Sequence, residues 1–465
     1  MRFETIGDFV DLQRGNTYKS SLLGQAGPYL LGLGSIARDG GFRGEKLKTY
    51  GGHSDERMLV TPGDLYVSLK DVTQSGDLLG AIARVPPEIK NGRMTQDTVK
   101  LIFKKEISKD YFYWLLRTPQ YREYCRSRAT GTTNLGLSRE DFFNFPVPCL
   151  DSKKELLVTV LEACESKITL NTQINQTLEQ MAQALFKSWF VDFDPVIDNA
   201  LEAGNPIPKP LAERAARRKA MWAEEIKKAP ARLPAETRRL FPERFEGDEV
   251  LGWVPKGWKT KPLSQQITLI GGGTPKRSEK SFWDGDIPWF SVKDAPSESD
   301  VFVIDTEDKI TQAGLKGSSA KLLPVGTTII TARGTVGKLA ITGGEMAMNQ
   351  SCYGVRPIKG LGNYYNFYNV KNAVVGLQQN VHGAVFDTIT RQTFETVSSP
   401  LPNEDVVAEF ESRVAVLMGK IKAALEENIS LTKLRDTLLP KLLSGELQLP
   451  EAETAVQTAL EVEPA

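Results

Sequence analysis

The stretch NQTLEQMAQALFKSWF, Asn175 to Phe190, closes a longer segment from Asp151 whose apolar or small residues recur at alternating steps of four and three. Leu157, Leu161, Cys164 and Ile168 are followed by Asn171 and Asn175, then by Leu178, Ala182, Leu185 and Trp189. A stripe with a period near 3.5 is a coiled-coil seam, so residues 151–190 are expected to form one long helix. The seam returns at Phe410, Val414, Leu417, Ile421, Ala424, Asn428, Leu431, Arg435, Leu438 and Leu442, each 253 residues after its counterpart. A second long helix is expected over 403–445. Asn175 and Asn428 occupy matched seam positions, where a polar residue commonly fixes register at a cost in stability. The alternative is that both face solvent on a locally polar stretch.

The repeat extends into the segments before each arm. Gly15 and Thr17 match Gly272 and Thr274, Pro28 and Tyr29 match Pro288 and Trp289, and Pro62, Gly63 and Ser68 fall opposite Pro324, Gly326 and Thr331. MTQDTV from Met94 parallels MNQSCY from Met348, and SREDFFNFPVP from Ser138 parallels TRQTFETVSSP from Thr390. A globular domain followed by a long helix has been duplicated. Short apolar runs broken by Gly, Pro and Asp, such as PGDLYVSLKD and TVKLIFKK, predict strand-rich domains over 1–150 and 255–402. DYFYWLLRTPQYREYC, from Asp110, predicts a helix up to Pro119. Residues 191–254 predict a charged connector with a surface helix near Leu211–Ala229, and 446–465 an acidic, disordered tail.

Composition narrows the class. The 465 residues are 40% hydrophobic, with no run long and apolar enough for a membrane span and no signal-peptide core in MRFETIGDFV. A cytoplasmic protein is expected. Lys+Arg and Asp+Glu both total 58. Residues 1–150 and 255–402 each carry a net charge of +4, while the stretch after Gly445 holds five Glu and no Lys or Arg. Two mildly basic globular units are compatible with nucleic-acid contact. Scattered Cys125, Cys149, Cys164 and Cys352 argue against disulfides or a zinc site.

No catalytic constellation emerges. ARGTVGKL around Lys338 has Ala332 where a phosphate loop needs its first Gly and Leu339 where it needs Ser or Thr. Gly271–Gly273 is followed by Pro275 and lacks the dinucleotide fingerprint. Asp305, Glu307 and Lys309 imitate a nuclease spacing that arises often by chance. His53 and His382 are the only histidines and fall in different domains, so a histidine triad or His-rich metal site is not expected. The expectation is a non-catalytic recognition or assembly protein.

Reading DNA requires cations for phosphates and amide, guanidinium or hydroxyl groups for base edges. The first domain offers Asn16, Thr17, Lys19, Lys70, Gln96, Thr132, Thr133 and Asn134 in glycine-rich turns. The second offers Thr274, Lys276, Arg277, Lys293, Arg333, Lys338, Asn349 and Gln350. Each residue type is common on ordinary surfaces; recurrence at matched positions singles out the set. Trp283 and Trp289 could stack on bases, but Trp289, matched to Tyr29, is expected in a core. Asn175, Leu178, Leu185, Trp189, Asn428, Leu431, Leu438 and Leu442 are the expected coil and partner interface.

These features together resemble the DNA-specificity subunit of type I restriction-modification systems. The resemblance rests on the repeat, NQTLEQMAQALFKSWFVDFDPV from Asn175, LGWVPKGW from Leu251, GGTPKRSEKSFWDGDIPWFSVKD from Gly272, TARGTVG from Thr331 and LTKLRDTLLPKLLSGEL from Leu431. It implies an α+β fold with two strand-rich target-recognition domains separated by two long helices packed as an antiparallel coiled coil, with an internal pseudo-two-fold repeat. It further implies that the domains read the halves of a bipartite double-stranded DNA target. Two methyltransferase subunits and ATP-dependent restriction subunits would be the partners, carrying the S-adenosylmethionine, ATP and Mg sites. The first domain departs from the pattern, with GNTYK where the second has GGTPK. The alternative from composition alone is a non-catalytic coiled-coil scaffold whose globular domains bind protein.

Overall fold

The computed structural model describes residues 4–38, 40–73, 75–132, 134–225, 233–297, 299–380 and 388–444. Thr133, His382 and the expected acidic tail lie outside them. The chain forms two compact units, Met1–Ile168 with Ile429–Ala465, and Thr169–Asn428. Both contain helices and strands, and both draw on both long helices.

In the first unit a four-stranded antiparallel sheet runs in the order Val10–Arg14, Thr98–Phe103, Leu65–Ser68, Ile82–Arg84. The second unit repeats this order with Ile267–Gly271, Cys352–Pro357, Thr328–Thr331 and Leu339–Thr342, and adds Phe302–Val303 in parallel at the edge. A smaller parallel pairing also recurs, Leu31 beside Met94 and Phe290 beside Met348. This ladder corrects the sequence alignment by one residue. Since Leu31 is the counterpart of Phe290, Leu30 and not Tyr29 stands where Trp289 does. Trp289 is buried in the core, as expected, and Tyr29 is exposed.

The helix expected from Asp110 begins one residue earlier. Ser108 caps it, its hydroxyl accepting the Tyr111 N–H at 3.2 Å, and it spans Lys109–Leu115. Pro119 starts a separate helix, Pro119–Ser127, capped by Thr118, as the fixed φ of proline favours. In the second unit one unbroken helix, Asn363–Asn380, occupies the corresponding place.

The first long helix is Ser152–Phe186 and the second Glu404–Leu438, 35 residues each. Asp151 caps the first, accepting the Lys154 N–H at 2.9 Å. At 1.5 Å per residue each helix is about 52 Å long. The second ends before Pro440, which cannot continue a helix, and a short turn follows over Lys441–Ser444. In the first unit Leu157, Leu161 and Cys164 share a core with Leu431, Leu438 and Leu442. In the second, Ala182, Phe186 and Trp189 share one with Phe410, Val414 and Ile421. The pairing is antiparallel in both, because ascending positions of one helix meet descending positions of the other. Asn175 and Asn428, equivalent positions of the repeat, are not each other's partners across the coil. Asn171 Nδ2 instead donates to Asn428 Oδ1 at 2.8 Å.

After Phe186 the helix widens into a π-type turn, Lys187–Val191. The segment expected to begin a connector then folds into the core. Val196, Ile197 and Ala200 of the helix Asp194–Glu202 are fully buried. Arg214 pairs with Asp194 at 2.6 Å and Arg218 pairs with Asp198, tying on the helix Ala212–Glu225. Asp198 is almost completely buried, and burying a carboxylate demands a partner. The charges of this segment therefore serve internal pairing as well as solvation. Among the described residues no helix is long and apolar enough to cross a membrane.

Candidate nucleic-acid interface

Each domain builds its candidate surface on a glycine pressed against a neighbouring strand end. A side chain on Gly15 would lie 2.2 Å from the Thr95 carbonyl oxygen, and one on Gly272 would lie 1.9 Å from that of Asn349. Only glycine permits these approaches. They bring the turn after the first sheet strand beside MTQD in one domain and MNQS in the other.

In the first domain Asn16 and Thr17 are exposed, and Asn16 bridges to Thr95. Arg14 Nε donates to the Gln96 carbonyl at 2.9 Å. Lys19 is exposed, and its backbone N–H meets the Tyr50 hydroxyl. The Thr17 carbonyl accepts Arg93 Nη2 at 2.9 Å, and Arg93 lies over the Tyr50 ring at 4.7 Å. Lys70 and Asn134 line a cavity of about 350 Å³ with Asp71, Asp97, Thr130 and Gly131. Thr132 is exposed on the same loop. Within this cavity Lys70 pairs with Asp97 at 3.5 Å. Asp71 is buried and accepts the N–H groups of Thr73 and Leu78, so it shapes the loop.

In the second domain Thr274 hydrogen-bonds Gln350, joining two candidates from distant parts of the sequence. Asn349 is half-buried and accepts the Ser351 N–H at 3.0 Å. Arg277 lies 3.7 Å over the Trp283 ring and donates to Asp308 at 2.8 Å. Lys293 reaches Glu307 at 2.8 Å and Asp308 at 3.4 Å. The Arg277 guanidinium, with Lys293 beside it, holds the Asp308 carboxyl below its usual range. Lys276 is exposed, its carbonyl accepting Trp283 Nε1 at 3.1 Å. Arg333 and Lys338 are exposed at either end of a turn closed by Thr331, which accepts the Lys338 N–H at 2.9 Å.

The structure thus gathers Asn16 with Gln96, Lys70 with Asn134, Thr274 with Gln350, and Arg277 with Lys293. Acids stand among these cations and amides as their partners. Asp97 lies inside the MTQDTV motif, Glu307 is itself a member of the nuclease-like triplet, and Asp308 lies next to it. Lys309 pairs with Asp305 at 3.0 Å, so the charges of that triplet are engaged in ion pairs. His53 is exposed beside Asp55. Among the described residues no cluster of His, Cys, Asp and Glu could hold a metal ion.

Known proteins are similar to this chain in sequence and in fold. The model of the type I restriction modification DNA specificity domain matches residues 1–180 and 255–426. The chain is 30% identical over 357 residues to the type I restriction enzyme HindI specificity subunit of Haemophilus influenzae, covering 73% of this chain and 77% of that protein. It is 27% identical over 178 residues to the MjaIX specificity subunit of Methanocaldococcus jannaschii, covering 38% and 40%. The crystal structure of the S subunit of a type I system from M. genitalium matches at a TM-score of 0.51 and 13% identity, over 95% of both chains, and so shares the fold. With two matched regions that coincide with the two copies of its internal repeat, the chain belongs to the type I restriction-modification DNA specificity family.

Proposed function

We propose that the chain is the non-catalytic DNA-reading subunit of a type I restriction-modification complex. The domains over 1–150 and 255–402 each read one half of a bipartite target. The helices over 151–190 and 403–445 carry the docking surface for two methyltransferase subunits and fix the length of the unread spacer. The segment 191–254 braces the second domain, and the acidic stretch 446–465 takes no part in reading. Partner subunits supply adenine methylation with S-adenosylmethionine and cleavage with ATP and Mg.

One observation carries this reading above a protein-binding scaffold. Both domains press a glycine turn, Gly15 or Gly272, against a strand end bearing a glutamine, Gln96 or Gln350. Glutamine amides read base edges, and the flanking cations Lys19, Lys70, Lys276 and Arg333 suit phosphates. Mapping methylated adenines in host DNA with and without the gene tests it. A two-part motif that disappears on deletion is expected. An unchanged methylation map would sink the reading, as would methylation or cleavage by the purified chain alone sink its non-catalytic part.

A further inference from the structure

The apolar seam obeys the 253-residue repeat, but the polar contacts that hold each domain on the long helices do not. In the first unit two acids of the first long helix meet the domain. Glu162 accepts Arg84 Nη1 at 2.9 Å and Nη2 at 2.5 Å, and also Trp114 Nε1 at 2.6 Å. Glu165 accepts the Tyr113 hydroxyl at 3.2 Å and pairs with Arg117, which is almost wholly buried. Arg84 lies 4.1 Å over the Tyr113 ring, and Arg117 lies 4.4 Å over that of Trp114. The two guanidiniums are thus fixed in plane as well as in charge, which a lysine could not reproduce.

The second unit uses other positions and other chemistry. Glu179 of the first long helix pairs with Lys371 at 2.7 Å. Glu411 of the second accepts the Tyr365 backbone N–H at 2.6 Å, at the first turn of the helix Asn363–Asn380. Shifted by 253 residues, Glu162 and Glu165 correspond to Ala415 and Met418, and Glu411 corresponds to Val158. Neither set exists at the other position.

We propose that these acids make two non-interchangeable seats, in which Glu162 and Glu165 are positioning residues that hold the first recognition domain through Arg84 and Arg117. Placed on the second seat, the same domain would press Arg84, left with Asp110 of its own domain at 3.2 Å as its carboxylate partner, and the almost wholly buried Arg117, left without Glu165, against Ala415 and Met418. A buried guanidinium without its carboxylate is strongly unfavourable. The seats decide which domain can be exchanged between positions without changing the helices. The readout below rests on the DNA-reading function proposed above.

The test uses the full chain produced with its methyltransferase partners. One chimera carries residues 4–150 in place of 255–402; a second adds Ala415→Glu and Met418→Glu. Host DNA should be methylated at a site made of two copies of the first half-site, more completely by at least about tenfold in the second chimera. Equal methylation by both, or by neither, overturns the seat. Glu162→Gln in the native chain provides a readout that general instability would not move. It should blur the first half-site in the methylation motif and leave the second intact, and equal loss at both halves counts against the proposal. A native chain that yields no gene-dependent motif defeats the DNA reading instead. The seat is then judged by melting, where Arg84→Met with Glu162→Leu must be more stable than Glu162→Leu alone; a double variant no more stable overturns it.

Discussion

Asn171 and Asn175 lie one helical turn apart on the same seam, and only the first has a partner. Asn171 donates to Asn428 at 2.8 Å and to Glu427 at 2.6 Å. Asn175 is fully buried, and neither its amide nitrogen nor its oxygen has a hydrogen bond among the described residues. The repeat explains the difference. The counterpart of Asn171 is Ala424, so the register that sets Asn171 on Asn428 sets an alanine opposite Asn175. An unsatisfied buried amide costs about 1–3 kcal/mol. Asn175→Leu should therefore raise the free energy of urea unfolding by about 1–2 kcal/mol, and Asn171→Leu should lower it by a similar amount. Destabilisation by both would show that Asn175 has a role this packing does not reveal.

The continuity of the two long helices makes a second expectation. Inserting one heptad into a single arm keeps its seam in phase but shifts one half of the pairing against the other. The methylation motif of the assembled complex should change its spacer length or disappear. An unaltered spacer, read by base-resolution methylation mapping, would refute a length-setting role for the helices.

Arg333 and Arg277 are both arginines of the second domain, yet their surroundings predict different phenotypes. Arg333 is exposed on a turn, while Arg277 is engaged by Trp283 and Asp308. Each phosphate contact contributes about one unit to the slope of log affinity against log salt. Arg333→Ala in the methyltransferase-bound complex should flatten that slope by about 1, and Lys338→Ala likewise. Arg277→Ala should change it less and should loosen the loop around Asp308. Equal flattening by Arg277→Ala would mean that Arg277 leaves Asp308 to bind DNA.

Glu411 predicts a pH dependence. Burial raises its carboxyl to about 7 from an ordinary 4.5, although backbone N–H groups of Tyr365, Tyr364 and Asn363 oppose the rise. An acid whose folded value lies above its unfolded one contributes stability that is complete below the unfolded value and is lost as pH rises through the folded one. The second unit should thus lose stability between about pH 4.5 and 7. Glu411→Gln should lose less over the same interval, in urea unfolding curves taken at each pH. Parallel declines would remove Glu411 from the explanation.

The seam was legible in the sequence because side-chain spacing alone defines it: Leu157, Leu161, Leu438 and Leu442 are core residues where the period of 3.5 puts them. The repeat was legible because loop insertions leave motifs such as MTQDTV and MNQSCY intact, while the shared sheet order, which depends on long-range pairing, was not. What periodicity could not show is which polar residue faces which. Asn428 meets Asn171 and not Asn175, because antiparallel partners follow descending numbers. The core role of VDFDPV was hidden for a related reason. Asp194 and Asp198 look like connector charges until Arg214 and Arg218, 20 residues on, neutralise them. At the candidate interface the cations and amides could be named, but not that Asp97 and Asp308 restrain Lys70 and Arg277.

The first unit joins residues up to Ile168 with residues from Ile429 onward, whereas the second is one continuous stretch. During synthesis the half made first must therefore wait for the half made last. At about 5–20 residues per second, Leu157, Leu161 and Cys164 remain without Leu438 and Leu442 for about 15–55 s. The second domain closes its own core in that interval. The order of completion reverses the order of the gene, and the apolar seam of the first arm stays uncovered by its partner helix while the second domain is made.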